Sequence, residues 1–282
     1  MQISVVIPAY NEADTIGATL AALVRAPESG SDLEVIVAAN GCRDATADVA
    51  RSYGVDVIEI AEASKTAALN AADTSTATFP RVYLDADAIG SPALIRALGE
   101  AVSEPGALGA TARRDLDLDG CSWPVRAFYR VNAELPAFEG RLFGRGVIAL
   151  AEEARKRFDQ FPDIIADDML LDAVVAAEEK REVPFAVRVE APRDTGDLVR
   201  RLARAREGNE EFAAWMRAEG ESLGLDRDVS EPQRTSWLRD VVARKPRLAP
   251  DAAVYVALIA RAEQLRRSKS YSARSGWGTR SA

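Results

Sequence analysis

The chain has 282 residues, of which 48% are hydrophobic; it carries a formal net charge of −8 and contains no histidine. This size and composition predict a folded protein with a substantial core, and the lack of histidine excludes Ser-His-Asp and Cys-His catalysis and any histidine metal site. The two cysteines, Cys42 and Cys121, fit neither a disulfide framework nor a zinc motif, and no segment carries the signal of export or of a membrane span. These features favour a reducing, cytoplasmic location.

Charge is distributed unevenly along the chain. Residues 1–180 contain 16 Lys and Arg against 29 Asp and Glu, whereas residues 181–282 contain 20 against 15. The acidic first part argues against nucleic acid as a partner, because phosphate backbones bind basic surfaces. The basic last part is typical of a solvated helical surface, and it is also compatible with peripheral contact at the inner face of an anionic membrane.

The first hundred residues alternate strand and helix patterns. Short apolar runs predict four buried strands, and a helical pattern follows each of them. Ser91 and Pro92 supply the N-cap and the first position of the fourth helix. This order predicts an α/β fold with a mostly parallel sheet flanked by helices. The predicted strands are Ile3–Ile7, Leu33–Ala38, Val55–Ile60 and Arg81–Leu84.

The later part of the chain changes from mixed to helical patterns. Strand patterns recur at residues 107–116 and 183–191, after which the sequence predicts helices. The helix Ala252–Lys269 has an apolar body and a basic end, which favours docking on the rest of the protein. We therefore expect a domain of residues 1–196 and a helical extension of residues 197–282 packed on it.

Two aspartates stand at the end of the fourth predicted strand. In parallel sheets, ligands bind at the carboxyl ends of the strands, and "LDAD" places Asp85 and Asp87 there. Two carboxylates on one short loop repel each other and are usually offset by a cation. Carboxylate and phosphate oxygens are the ligands of Mg²⁺ and Mn²⁺. A lone Asp-x-Asp is often a solvated helix cap, but this position favours a divalent metal site.

The ends of the first two strands carry further polar and aromatic residues. Pro8, Tyr10 and Glu12 follow the first strand, where an aromatic face and a carboxylate can hold a base and a ribose hydroxyl. Asn40 begins a turn after the second strand. The chain has neither a G-x-G-x-x-G fingerprint nor a phosphate-binding P-loop, so a nicotinamide or flavin site is not predicted.

A second acidic pair, Asp167 and Asp168, precedes a predicted helix. Such a pair is typical of helix capping, or of a general base when it lies in a closed site near another carboxylate. The glycine-rich segment Gly140–Leu150 is a candidate acceptor-side loop. The aromatic residues near it, more typical of a core than of sugar stacking, are Trp123, Tyr129 and Phe138.

Together these stretches resemble the family 2 glycosyltransferases of the GT-A fold. The resemblance covers roughly residues 2–175 and includes "SVVIPAYNEADTI", the N-G-x-x-D-x-T turn, "KTAALNAA", "LDAD" and the later acidic pair, in that order. It implies a GT-A-type, Rossmann-like sheet with a helical C-terminal extension. It also implies transfer of a sugar from a UDP-, GDP- or dTDP-sugar to an acceptor hydroxyl, with Mn²⁺ or Mg²⁺ as cofactor; the acceptor stays unknown.

The resemblance also implies roles for matching residues. Asp87 would ligate the metal, Asp85 would contact the ribose or the metal, and Asp167 or Asp168 would be the base that removes the acceptor proton. Arg201 and Arg204 lie in an arginine-rich segment that follows the catalytic domain. The residues expected on the donor nucleotide are Pro8, Tyr10, Glu12, Asn40, Lys65, Asp85, Arg201 and Arg204.

Departures from the family pattern leave alternatives open. Ala39 and Asn40 stand where aspartates are common, which weakens the case for a uracil base. The Q-x-x-R-W motif of processive members is absent, which favours an inverting single transfer over polymer synthesis. A nucleotidyltransferase is disfavoured because "IPAYNEADTI" contains no basic residue and no glycine. The alternatives are a retaining transferase of related fold and a non-catalytic relative that binds a nucleotide or a glycan.

Overall fold

The computed structural model describes residues 1–135, 138–220, 223, 225, 241–268 and 271–272. In this part of the chain the strands are β1 (Ile3–Ala9), β2 (Leu33–Asn40), β3 (Asp56–Ile60), β4 (Arg81–Leu84), β5 (Ala88–Ile89), β6 (Gly109–Asp117), β7 (Val147–Leu150) and β8 (Lys180–Glu190). The helices are α1 (Ile16–Val24), α2 (Thr46–Arg51), α3 (Lys65–Ser75), α4 (Pro92–Ala101), α5 (Trp123–Asn132), α6 (Glu152–Arg155), α7 (Asp167–Ala173), α8 (Thr195–Trp215) and α9 (Ala249–Arg266).

All eight strands belong to one mixed sheet of order β3-β2-β1-β4-β7-β6-β8-β5. Strands β1 to β4 pair in parallel, as do β6 and β8, whereas β7 and β5 pair antiparallel with their neighbours. The predicted parallel α/β sheet is therefore confirmed for the first four strands and continues into a mixed half. The acidic loop after β4 lies where the direction of pairing changes.

The buried faces of the strands explain why helices cover both sides of the sheet. Along β1, Val5 and Ile7 pack with α1, α2 and α4, while Val6 packs with α3, α6 and α7 on the other face. Each of these three side chains is 0% exposed. The continuous apolar run of this strand is thus the signature of a strand buried on both faces.

The last two helices pack on the sheet domain through α5. The rings of Phe128 on α5 and Tyr255 on α9 stack with centroids 4.9 Å apart. Arg130 donates to both carboxylate oxygens of Asp251 at 2.8 and 2.7 Å. Because α8 begins at Thr195, the junction predicted between residues 196 and 197 falls inside this helix. The division into two domains stays a prediction.

Parts of the predicted C-terminal region lie outside the described residues. These are residues 221, 222, 224, 226–240, 269, 270 and 273–282, and they include Lys269 at the predicted end of the last helix. None of the helices that the structure describes combines the length and the apolar character needed to cross a membrane.

The core beneath α8 provides a test of how the C-terminal region stabilises the fold. Phe212 is 0% exposed and lies in the same apolar cluster as α3, α6 and α7. We expect Phe212→Ala to lower the free energy of unfolding by about 3–5 kcal/mol, because it leaves a cavity in this core. Denaturant unfolding measures the change. Asn209→Ala, at an exposed position of the same helix, is the control and should stay within about 0.5 kcal/mol of the parent. Equal losses in both variants would show that α8 does not stabilise the core in this way.

Candidate active site

The loop after β4 holds its two aspartates through backbone hydrogen bonds. Asp85 N donates to Gly146 O, and Ala88 N donates to Asp85 O, both at 3.0 Å. From α1, the Thr19 hydroxyl donates to Ala86 O at 2.8 Å. The loop is thus fixed from both sides. The side chains of Asp85 and Asp87 are 43% and 23% exposed, so both carboxylates reach solvent.

Lys65 joins the two acidic pairs predicted from sequence. It is the first residue of α3, after the N-cap Ser64, whose hydroxyl accepts from Ala67 N. Its ammonium lies 2.9 Å from Asp85 Oδ1 and 3.0 Å from Asp167 Oδ2. Burial lowers the pKa of Lys65, but the surrounding carboxylates more than offset this and raise it. Lys65 therefore stays charged and anchors both carboxylates.

The carboxylates of Asp167 and Asp168 occupy different environments in the first turn of α7. Burial raises the pKa of Asp167 to about 6; repulsion from Asp168 and Asp85 adds to the rise, and Lys65 opposes it. Burial also raises the pKa of Asp168, whose Oδ2 accepts from Gly144 N at 2.8 Å. Asp167 is committed to its ion pair, whereas Asp168 is partly exposed.

The glycine-rich segment before β7 supplies this amide. Gly144 and Gly146 have φ of +70° and +86°, a left-handed conformation that favours glycine. A Cβ added to Gly144 would lie 2.6 Å from Phe138 Cε1, so the backbone approaches this ring too closely for any side chain. The segment predicted as an acceptor-side loop thus positions Asp168.

Substituting this glycine tests its role. We expect Gly144→Ala to destabilise the protein by about 1–3 kcal/mol from backbone strain alone, with a further loss from the clash with Phe138. Gly140→Ala is the matched control, because Gly140 also has a positive φ, +67°, but no atom of the described residues lies within 4 Å of an added Cβ. Thermal unfolding of both variants separates strain from clash. If the two variants lose equal stability, the close approach to Phe138 does not contribute to the loss in Gly144→Ala.

Two arginines of α8 reach the same acidic centre. Arg201 Nη2 lies 3.8 Å from Asp87 Oδ2. Burial lowers the pKa of Arg204 to about 10, while Asp167 and Asp85 oppose this shift. The arginine-rich helix therefore places cations beside the acidic loop.

The end of β1 forms the other side of the site. Pro8 lines an open cleft of about 330 Å³ together with Lys65, Asp85, Asp167 and Asp168. These five predicted residues are therefore brought together.

Among the remaining residues predicted on the nucleotide side, Glu12 holds the neighbouring loops. Glu12 N donates to the Thr46 hydroxyl at 2.8 Å, and the Glu12 carboxylate accepts from the Thr15 hydroxyl. Asn40 is 0% exposed, and neither atom of its side-chain amide has a hydrogen-bond partner among the described residues. Tyr10, Glu12 and Asn40 do not line the cleft that Lys65 lines.

Sequence reasoning did not find how the carboxylates are held. The bridge from Lys65 to both acidic pairs and the amide of Gly144 depend on loop paths that no local pattern specifies. The one available signal was the glycine-rich segment before β7, since paired glycines indicate close backbone approach.

The acidic loop matches the donor set of a divalent metal shared with a ligand. In the described part of the chain, no group of three or more His, Cys, Asp or Glu side chains is arranged to hold a metal by itself. Asp85 and Asp87 offer hard oxygen donors at one accessible loop, and phosphate oxygens are the usual completing ligands of Mg²⁺ and Mn²⁺. The residues thus fit a metal that is bound together with a phosphate group.

Comparison with known families identifies the chain. The model of "Glycosyl transferase family 2" matches residues 4–149. The chain belongs to glycosyl transferase family 2. The match includes β1 to β4, the acidic loop, the glycine-rich segment and the start of β7. The protein is thus a glycosyltransferase by family, as its motifs predicted.

Solved structures share the fold. The mannosyltransferase PcManGT of Pyrobaculum calidifontis, in complex with GDP-Man and Mn²⁺, matches with a TM-score of 0.60 and 20% identity over 98% of this chain and 83% of its own. Mannosyl-3-phosphoglycerate synthase of Rubrobacter xylanophilus matches with a TM-score of 0.56 and 20% identity over 84% of this chain and 80% of its own. Glucosyl-3-phosphoglycerate synthase of Mycobacterium tuberculosis, in complex with Mn²⁺, UDP-Glc and glycerol 3-phosphate, matches with a TM-score of 0.54 and 20% identity over 80% of this chain and 82% of its own. A search of curated proteins found no match.

Proposed function

We propose that this glycosyltransferase moves one sugar from a nucleoside-diphosphate donor to an acceptor hydroxyl, with divalent metal and with inversion at the anomeric carbon. The observation that supports this best is the arrangement of Asp168. Its carboxylate is oriented by Gly144 N and lines the cleft, and its neighbour Asp167 is joined through Lys65 to Asp85 of the acidic loop. The absence of a processive Q-x-x-R-W motif supports a single transfer.

The donor end of the site is the loop of Asp85 and Asp87. We assign these two carboxylates to the metal, and Lys65, Arg201 and Arg204 to the diphosphate, because the cations surround the same loop. Bound Mn²⁺ or Mg²⁺ would stabilise the negative charge on the departing nucleotide. Structural neighbours bind GDP-Man or UDP-Glc with Mn²⁺, which supports a metal-dependent nucleotide sugar here.

The nucleoside would lie on the far side of that loop. We keep Pro8, Tyr10, Glu12 and Asn40 as its proposed neighbours. The side-chain amide of Asn40 has no hydrogen-bond partner among the described residues, so its donors and its acceptor are available to a ligand.

The acceptor end is the carboxylate of Asp168. Asp167 is neutralised by Lys65 and acts as a positioning residue, which leaves Asp168 as the proposed general base. An alcohol is a weak nucleophile near neutral pH, so a carboxylate that takes its proton during attack accelerates transfer. Attack from the side opposite the leaving diphosphate inverts the anomeric carbon, and the cleft holds the two partners on either side.

Thermal unfolding with nucleotides tests the proposal directly. We expect one of UDP, GDP, dTDP, CDP or ADP to raise the Tm of the full chain, and to do so only with Mn²⁺ or Mg²⁺, because a ligand of the folded state stabilises it by mass action. If no nucleotide shifts the Tm with or without metal, the non-catalytic relative becomes the better description. Analysis of the product anomer then decides between inversion and the retaining alternative.

Activity should also depend on pH through the proposed base. Because burial raises the pKa of Asp168, this carboxylate is protonated at a higher pH than an ordinary aspartate, whose pKa is about 4. We therefore expect kcat/KM to fall on acidification, with its midpoint above about 4. The pH profile of sugar transfer measures this, and a midpoint at or below the ordinary aspartate value would contradict the assignment.

Two further proposals concern the location of the protein and the contact of its basic C-terminal region with a membrane. A cytoplasmic location, with peripheral contact between basic C-terminal residues and an anionic membrane, remains a prediction. Co-sedimentation of the full chain with vesicles that contain or lack anionic lipid tests the membrane contact.

A further inference from the structure

Arg114 on β6 is a cation without an ion-pair or hydrogen-bond partner among the described residues. Its guanidinium lies 5.4 Å from the centroid of the Phe138 ring, and it makes no hydrogen bond or ion pair with any residue that the structure describes. Burial lowers the pKa of Arg114, and the nearby charge of Arg145 lowers it further. A half-buried guanidinium without a counter-ion is costly, which suggests that the anion comes from outside the protein.

The position of Arg114 follows from the sheet. β6 pairs with β7 only as far as Thr111 opposite Ile148, and its continuation pairs with β8, where Arg114 lies opposite Val187. Arg114 therefore lies beyond the β6–β7 ladder, on the side from which the chain enters β7. The segment that enters β7 there contains Gly144.

Phe138 connects Arg114 to the proposed base. A Cβ added to Gly144 would lie 2.6 Å from this ring, and Arg114 faces the same ring. Gly144 in turn donates to Asp168. The ring of Phe138 thus lies between Arg114 and the glycine that holds Asp168, which puts Arg114 on the Gly144 side of the site.

The charges around Arg114 leave it unneutralised. Arg145, the second guanidinium near Phe138, pairs with Glu182 at 2.9 Å and donates to Phe138 O at 2.7 Å. Tyr129 is partly buried near both Arg114 and Arg201. Burial raises the pKa of Tyr129 and the two arginines oppose this, so Tyr129 stays a neutral phenol. Of the carboxylates near these groups, Glu182 pairs with Arg145 and Asp87 lies 3.8 Å from Arg201. Among the described residues, no carboxylate shifts the pKa of Arg114.

We propose that Arg114 binds an oxyanion, a phosphate or a carboxylate, carried by the acceptor. This inference rests on the proposed transfer reaction and names the class of its acceptor: a small alcohol with an anionic group near the reacting hydroxyl. The planar guanidinium binds both kinds of oxyanion through two parallel hydrogen bonds. Bound in this way, the anionic group would place the hydroxyl at Asp168.

A matched series of probes tests the proposal. Glycerol, glyceric acid and glycerol 3-phosphate share one carbon skeleton and differ in carrying no anion, a carboxylate or a phosphate. Each is titrated by calorimetry into the full chain saturated with Mn²⁺ and the nucleoside diphosphate that stabilises it most, so that the donor phosphate site is filled. The variants are Arg114→Gln, Arg114→Lys and, as a matched control, Arg113→Gln at the exposed neighbouring position.

We expect at least one anionic probe to bind more tightly than glycerol, and the pair of probes shows which oxyanion is preferred. Arg114→Gln should weaken that binding on the order of tenfold or more, Arg114→Lys less, and Arg113→Gln hardly at all, while nucleotide binding stays unchanged in all three. Equal binding of glycerol and both anions, or wild-type affinity in Arg114→Gln, would overturn the proposal. If Arg114→Gln does not fold, Arg114→Lys must still bind the anionic probe more weakly than the parent.

Failure of the proposed function gives a different result. In that case the nucleoside diphosphate and Mn²⁺ do not bind the wild-type protein at all. The three probes are then titrated without nucleotide, and the effect of Arg114→Gln on the anionic probes still decides whether Arg114 binds an oxyanion.

Discussion

Replacing Asp168 by asparagine is expected to reduce kcat by about 10²–10⁴-fold, because general base catalysis contributes roughly that factor. Asparagine has nearly the same shape, and its side-chain oxygen can still accept the hydrogen bond that Gly144 N donates to Asp168. What it loses is the capacity to take a proton. Donor binding should therefore be unchanged, so that the defect appears in turnover and not in the Tm shift caused by the nucleotide and metal.

Asp167→Asn is the comparison that identifies the base. This change removes one of the two carboxylates that neutralise Lys65, whose other partner, Asp85, remains at 2.9 Å. We expect weaker donor binding with a smaller loss of turnover. Single-turnover rates measured with saturating donor separate the two effects. Full turnover in Asp168→Asn together with loss in Asp167→Asn would move the base to Asp167.

The first half of the sheet could be predicted because its strands are buried on both faces. Such strands read as continuous apolar runs, and β1 to β4 end within two residues of their predicted positions. The antiparallel insertion of β7 between β4 and β6 left no comparable signal. Pairing of this kind joins distant segments, and local periodicity does not contain it.

The site was predictable to the extent that strand topology defines it. Asp85 and Asp87 were expected at a carboxyl end of the sheet, and the structure places them on the loop after β4. The ion pairs of Lys65 and the isolation of Arg114 were not predictable, because they depend on which side chains meet across loops. That Arg114 has no ion-pair partner in the described part of the chain is visible only once its neighbours are in place.

Replacing Asp87 by alanine is expected to abolish the part of donor binding that depends on metal. Asp87 is the carboxylate of the acidic loop that Lys65 does not engage; its neighbour in the structure is Arg201, at 3.8 Å. Without it, the loop retains one carboxylate, already paired, and gains an excess of positive charge that disfavours a divalent cation. With metal and nucleotide at 100 times their Kd, the parent would gain about 2.7 kcal/mol of stability and the variant almost none.

The stabilisation caused by Mn²⁺ is compared between the parent and Asp87→Ala at a fixed nucleotide concentration. Asp115→Ala, at an exposed position on β6, is the matched control and should keep the full Mn²⁺-dependent shift. In Asp87→Ala, the guanidinium of Arg201 is released from its neighbour Asp87 and can still attract the diphosphate of the nucleotide. We therefore expect Asp87→Ala to retain weak binding that Mn²⁺ no longer strengthens. A variant that keeps its response to Mn²⁺ would place the metal away from this loop, and with it the donor phosphates.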